Sequence, residues 1–214
     1  MSFRAGAQEL FARVRTGVRA GVAGFGRDRR GIAAIEFALI APILLALYFL
    51  TMEASQAIET NKKLNRVSSM VADLVTQQQG AVTKDDLDAI MKIADSTLLP
   101  YQRSKPTIII TGIKISDEAS PKATVDWSRK VVNGASSAAE AKDSKITVPA
   151  SLLVKNTFLV RVEGQLAYKP VIIWSANDKS FLGLTGAFDS ISMGETYYLR
   201  PRMTAAITCS DCYK

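Results

Sequence analysis

Residues 32–52 read IAAIEFALIAPILLALYFLTM, with Glu36 as the single charge. At a rise of about 1.5 Å per residue, a helix of this length spans roughly 30 Å, one hydrocarbon thickness. The flank before it is basic: residues 1–31 carry Arg4, Arg13, Arg15, Arg19, Arg27, Arg29 and Arg30 against only Glu9 and Asp28. After Met52 the cations thin to Lys62, Lys63 and Arg66 over a comparable stretch. That asymmetry orients a membrane-crossing segment with its N-terminus in the cytoplasm and residues 53–214 across the membrane. Most of the +7 net charge of the 214-residue chain belongs to the leader. The body has no dense basic patch with interleaved aromatics, so nucleic acid is not an expected partner.

A secretory signal peptide is the competing reading of the same stretch, because Ser55-Gln56-Ala57 offers small residues after the apolar run. The run is too long for an ordinary signal core, and helical patterning continues through that site. Inside the segment, Pro42 removes one backbone hydrogen bond and kinks or loosens the helix, which membrane helices tolerate. Glu36 is the more informative residue. A carboxylate in hydrocarbon is costly and is normally partnered, unless it lies near enough to the boundary to reach the headgroups.

Beyond Met52 the helical period continues. Ile58, Leu64, Val67, Val71 and Leu74 recur at three- and four-residue spacing for the most part, interleaved with Glu59, Lys62, Lys63 and Arg66. One helix over about residues 32–77 is therefore expected, apolar all round at first and amphipathic afterwards. Gln77-Gln78-Gln79-Gly80 ends it. A second helix follows, with Thr83 as N-cap, Asp85 and Asp86 in its first turn, and a stripe of Leu87, Ile90, Met91 and Ala94 before Pro100.

From Thr107 the composition turns β-branched. Strands are expected over residues 107–115, around Ala123, Val125 and Trp127, over residues 158–168, at 171–174, and within 196–208, where Pro201 implies an edge or a bend. Residues 133–145 read as an exposed loop or a short, poorly packed helix. The expected fold class is α+β: a long N-terminal transmembrane and amphipathic helix packed on an antiparallel β-sheet domain. The expected divisions are a basic cytoplasmic leader (1–31), a transmembrane helix (32–52), an amphipathic helical region (53–104) and an antiparallel β domain across the membrane (105–214).

Composition narrows the chemistry. The chain has no histidine, which removes histidine acid–base catalysis, Ser-His-Asp and Cys-His nucleophiles and the usual zinc sites. Asp85, Asp86 and Asp88 lack EF-hand spacing and its glycine. Neither a nucleophile elbow nor a phosphate-binding glycine loop occurs. No enzyme, no cofactor, no metal and no small-molecule substrate are expected. Cys209 and Cys212 form a C-x-x-C at the end of the chain, read first as a small-loop disulfide on the oxidising far side of the membrane, with intermolecular pairing or free thiols left open.

The run Arg29-Arg30-Gly31-Ile32-Ala33-Ala34-Ile35-Glu36-Phe37 is basic, then glycine, then four small or apolar residues, then glutamate. It resembles the processing site of type IV prepilins, where a membrane peptidase cuts after the glycine. Extended through Ala38-Leu39-Ile40-Ala41-Pro42, it is similar to the N-terminal signature of the TadE/TadG-like family, pilin-like proteins of tight-adherence (Flp) pilus assembly. Weaker similarities are Trp127-Ser128, Pro149, Tyr168-Lys169-Pro170 and Leu199-Arg200-Pro201-Arg202. The metal motif of larger TadG-type relatives is incomplete here, since Asp126-Trp127-Ser128 is followed by Arg129 and Lys130, so the resemblance is to the short, TadE-type form.

The resemblance implies a cut between Gly31 and Ile32, an assembly role for Glu36 and Pro42, and a pilin-like fold. The implied partners are the inner membrane, a prepilin peptidase and other pilus-assembly or pilin-like subunits. Two functions are carried forward: a pilin-like component of pilus assembly, and an uncleaved single-pass anchor presenting a periplasmic adaptor domain.

Overall fold

The computed structural model describes residues 31–170 and 190–213, apart from the side chains of residues 94 and 95. The leader and the strand expected at 171–174 lie outside the described residues. The chain divides into two compact units, Met1–Met52 and Glu53–Lys214. Helix α1 runs Ile32–Thr76 and continues through Pro42. Within the first unit no described residue of α1 is buried.

Within the second unit α1 buries Thr60, Leu64, Val67, Ser68, Val71, Ala72, Val75 and Thr76, a stripe at helical spacing. Ile58, expected in that stripe, is 58 % exposed. The packed face is smaller in side chain than the sequence pattern suggested, because the sheet approaches closely. A Cβ built on Gly164 would lie 2.0 Å from Ser68 Oγ, so glycine is what allows the helix to seat there.

After α1, Gly80 takes φ +92°, a conformation that glycine adopts without steric penalty. Strand β1 (Ala81–Val82) follows and then helix α2 (Lys84–Thr97). Thr83 caps α2 in a capping box: its side chain accepts from the Asp86 backbone N–H while Asp86 accepts from the Thr83 backbone N–H.

The sheet comprises β2 (Thr107–Ile115), β3 (Ala123–Val132), β4 (Ala135–Ser137), β5 (Phe158–Tyr168) and β6 (Ile191–Leu199). Its order is β4-β3-β2-β5-β6, with every neighbouring pair antiparallel. A long helix packed on an antiparallel sheet is the α+β arrangement expected. Three local features differ from expectation. Residues 135–137, read as loop, form the edge strand β4. Strand β6 begins at Ile191 and stops at Leu199, so Pro201 falls after a strand rather than within one. Finally, β7 (Thr208–Cys209) leaves the main sheet and pairs in parallel with β1.

The main core lies between the helices and one face of the sheet, where Val67, Val71 and Val75 of α1 and Leu87 and Met91 of α2 meet Ile108, Ile110, Trp127, Val160 and Val162. Trp127 is fully buried beside Gly112, where a Cβ would come within 2.5 Å of the indole. The indole N–H donates to the Ile207 carbonyl at 2.6 Å, satisfying its only polar group. The opposite face is covered as well: Ile113, Ile115, Ala123 and Leu159 pack with Val148, Ile146, Leu152 and Leu153 of the β4–β5 connection. This second layer explains why β5 is buried on both faces instead of alternating.

Candidate functional site

The start of α1 holds the residues that the sequence singled out. Gly31 forms a short 3-10 turn leading into the helix, and Ile32 is the first helical residue. A Cβ at Gly31 would meet nothing within 4 Å among the described residues. Packing within the described residues therefore does not require glycine there.

Glu36 is exposed on the next turn and has no ion-pair partner among the described residues. Around it Ile35, Phe37 and Leu39 point outward. Pro42 supplies no N–H to the carbonyl four residues earlier, at Ala38, yet the helix is unbroken. The most apolar window of α1 has a mean hydropathy of 2.3 and none of it is buried. This is the one helix among the described residues that is long and apolar enough to cross a membrane. Exposed apolar surface on this scale marks a site covered by lipid or by another protein.

In the second unit, a polar cluster gathers about Glu53, the residue directly after Met52. Tyr168, at the end of β5, donates its hydroxyl to Glu53 Oε1 at 2.5 Å. Arg103 donates from Nε to the Lys169 carbonyl at 2.6 Å and from Nη2 to the Tyr168 hydroxyl at 3.1 Å, and stands 3.8 Å from the Glu53 carboxylate. Its guanidinium lies 4.8 Å from the Tyr101 ring centroid, and Tyr101 stacks on Tyr168. Burial pushes the Tyr168 phenol up to about 12, helped by the Glu53 carboxylate that its hydroxyl faces. The cluster ties the first turn of α1 in this unit to the end of β5 and to the segment preceding β2.

A second ion pair joins α2 to the sheet. Arg129 on β3 makes a two-pronged contact to Asp88, with Nε and Nη2 each 2.8 Å from a carboxylate oxygen. The hydrogen bond from Arg129 holds the Asp88 carboxyl below its usual range and reciprocally raises the guanidinium. Asp88 thus has a specific partner rather than serving only the helix terminus. Sequence reasoning missed both clusters. A lone Arg103 between Pro100 and Pro106, or an Arg129 within a strand, carries no local sign of a partner dozens of residues away.

Cys209 and Cys212 are joined by a disulfide, their Cα atoms 5.7 Å apart. Asp211 Oδ1 accepts from the Lys84 backbone N–H at 2.9 Å, so the small loop closes over the start of α2. With both sulfurs in the bridge, the neighbouring trio of Cys209, Asp211 and Cys212 offers a cation only one carboxylate.

Residues 31–73 match the family model described as TadE-like protein. The match takes in Gly31, Ile32, Glu36 and Pro42 and ends inside α1, before the first strand. No curated protein and no solved structure matches the chain.

Proposed function

We propose that the chain is a pilin-like component of a tight-adherence (Flp) pilus-assembly system. Residues 32–52 insert it in the bacterial inner membrane, with the leader cytoplasmic and residues 53–214 periplasmic. The observation that carries this reading is Glu36, an exposed carboxylate without an ion-pair partner among the described residues, on an unburied apolar helix five positions after Gly31. Similarity to TadE-like proteins over residues 31–73 supports it. So does Gly31, which no contact among the described residues obliges to be glycine.

The assembly mechanism follows from charge. Hydrolysis of the Gly31–Ile32 peptide bond leaves a carboxylate on Gly31 and a new ammonium on Ile32. In the low dielectric of the membrane that ammonium is costly alone and favourable beside a carboxylate. Glu36 of an adjacent pilin-like subunit provides one, and the pair favours docking in a single axial register. Lipid or neighbouring helices cover the rest of the apolar surface.

The test is the N-terminal sequence of the protein purified from membranes of strains with and without prepilin peptidase. A start at Ile32 that requires the peptidase is expected. A start at Met1 or Ser2 in both strains would overturn processing and favour the uncleaved adaptor. Glu36→Ala is expected to insert normally yet reduce piliation at least tenfold, the scale of losing a charge pair worth about 1.4 kcal/mol or more; normal piliation would remove Glu36 from assembly.

A further inference from the structure

Beside the Glu53–Arg103–Tyr168 cluster the second unit has a cleft of about 630 Å³, and its wall is one-sided in charge. Arg103, Lys105 and Lys169 line it together with the neutral donors Asn133, Gln165 and Ser192, and no acidic residue is among its described lining. Arg103 is partly neutralised by Glu53 behind it. Lys105 and Lys169 have no carboxylate partner among the described residues. The guanidinium is already fixed by the Lys169 carbonyl, the Tyr168 hydroxyl and the Tyr101 ring, so little side-chain freedom is lost when it takes an anion.

Its place along the chain selects the anion. Glu53 follows Met52, the last residue of the apolar run, so groups bonded to it stand where the chain leaves hydrocarbon and phospholipid phosphates begin. Phosphate rewards a fixed guanidinium with neighbouring ammonium groups.

We propose that this cleft binds the phosphate headgroup of an anionic phospholipid and so seats the domain on the membrane surface. The proposal rests on residues 32–52 spanning the bilayer, and the experiment separates the two. The full chain is reconstituted in vesicles of phosphatidylcholine, alone or with one quarter phosphatidylglycerol. Insertion is read by flotation, and lipid that survives detergent extraction is counted by native mass spectrometry. Equal flotation from both vesicles, with phosphatidylglycerol retained selectively, is expected.

Lys105→Gln with Lys169→Gln should float equally and lose that lipid, by about fivefold for each lysine. Lys142→Gln with Lys155→Gln, which removes the same charge elsewhere on the domain, should retain it. Equal flotation without selective retention would overturn the headgroup site alone, as would equal loss in both double variants. Protection against extraction by inorganic phosphate in phosphatidylcholine vesicles would replace the lipid with a free anion. Failure to float would overturn both the site and the membrane span beneath it.

Discussion

Along the first half of α1 the large side chains face outward on every side, with Ile35, Phe37 and Leu39 each above 70 % exposed; along the second half Leu64, Ala72 and Val75 are at 0 %. Backbone geometry is the same in both, and what differs is the medium each half needs. The second half finds its apolar partner in Ile108, Val160 and Val162 of the sheet. The first has no buried residue among those described, and leaving side chains of that size in water would forgo about 1.5–3 kcal/mol apiece, so it calls for an apolar cover of its own. Substitutions in the domain should therefore change its stability without changing insertion, whereas Glu36 should do neither and alter assembly only.

The sharpest way to break that separation is Trp127→Ala, which empties the fully buried indole site and strands the Ile207 carbonyl. A loss of about 3–5 kcal/mol is expected in denaturant unfolding of the full chain in micelles, with flotation unchanged. If insertion failed as well, the two halves of α1 would depend on one another.

Asp88→Asn comes next. It leaves Arg129 largely buried without its charge partner, and about 2–3 kcal/mol should be lost, below the range for a fully buried pair because both side chains keep some exposure to water. Replacing both partners by apolar residues should cost less than either single change. The pH dependence has a definite sign: the folded carboxyl titrates below its unfolded value of 3.8. Its stabilisation is therefore present above about pH 4 to 5 and disappears as pH falls through the lowered folded value. Acid unfolding of Asp88→Asn should show a shallower slope in that window.

Gly164→Ala probes the helix–sheet contact itself. The added methyl overlaps Ser68 Oγ at 2.0 Å, whereas Ser68 Cβ lies 3.3 Å away, so about 1–2 kcal/mol should be lost and mostly regained in combination with Ser68→Ala. Ser68→Ala alone should be neutral or slightly stabilising, because its buried hydroxyl has no hydrogen-bond partner among the described residues. A double-mutant cycle on thermal unfolding measures all three values.

These contacts mark how far the sequence could be read. Both helices, the strand at 107–115 and the long strand ending at Tyr168 were legible because periodicity and capping are local. Thr83 and Asp86 announce a helix start by their spacing alone. Gly164 looked like an ordinary residue in a strand, and its meaning depends on Ser68 approaching from a helix nearly a hundred positions earlier. The parallel pairing of β1 with β7 was hidden for a similar reason: two-residue strands have no period to detect, and their register is set by the close of α1 and the disulfide loop. At the candidate site, Gly31, Ile32, Glu36 and Pro42 stand out in the sequence because charge and apolarity change abruptly within a few residues, while the roles proposed for them come from the family resemblance. Arg103, Lys105 and Lys169 were not, since only the fold brings the segment before β2 to the end of β5.

The last effect is confined to alkaline pH and concerns Tyr168, where the second half of α1 begins its contact with the sheet. The phenol titrates near 10 when unfolded and is pushed up to about 12 in the fold. A raised value means that the folded state favours the neutral phenol, so this contribution is complete below pH 10 and lost as pH climbs toward 12. Burial is the main cause; a phenolate would also sit against the Glu53 carboxylate, and Arg103 offsets only part of that repulsion. Tyr168→Phe removes the titration but retains the stacking on Tyr101. In thermal unfolding from pH 8 to pH 12, the wild-type midpoint should fall more steeply than that of the variant, and the two profiles should converge above pH 11. Parallel profiles would mean that the hydroxyl does not feel Glu53, and the link between the end of β5 and the first turn of α1 in the domain would then rest on Arg103 alone.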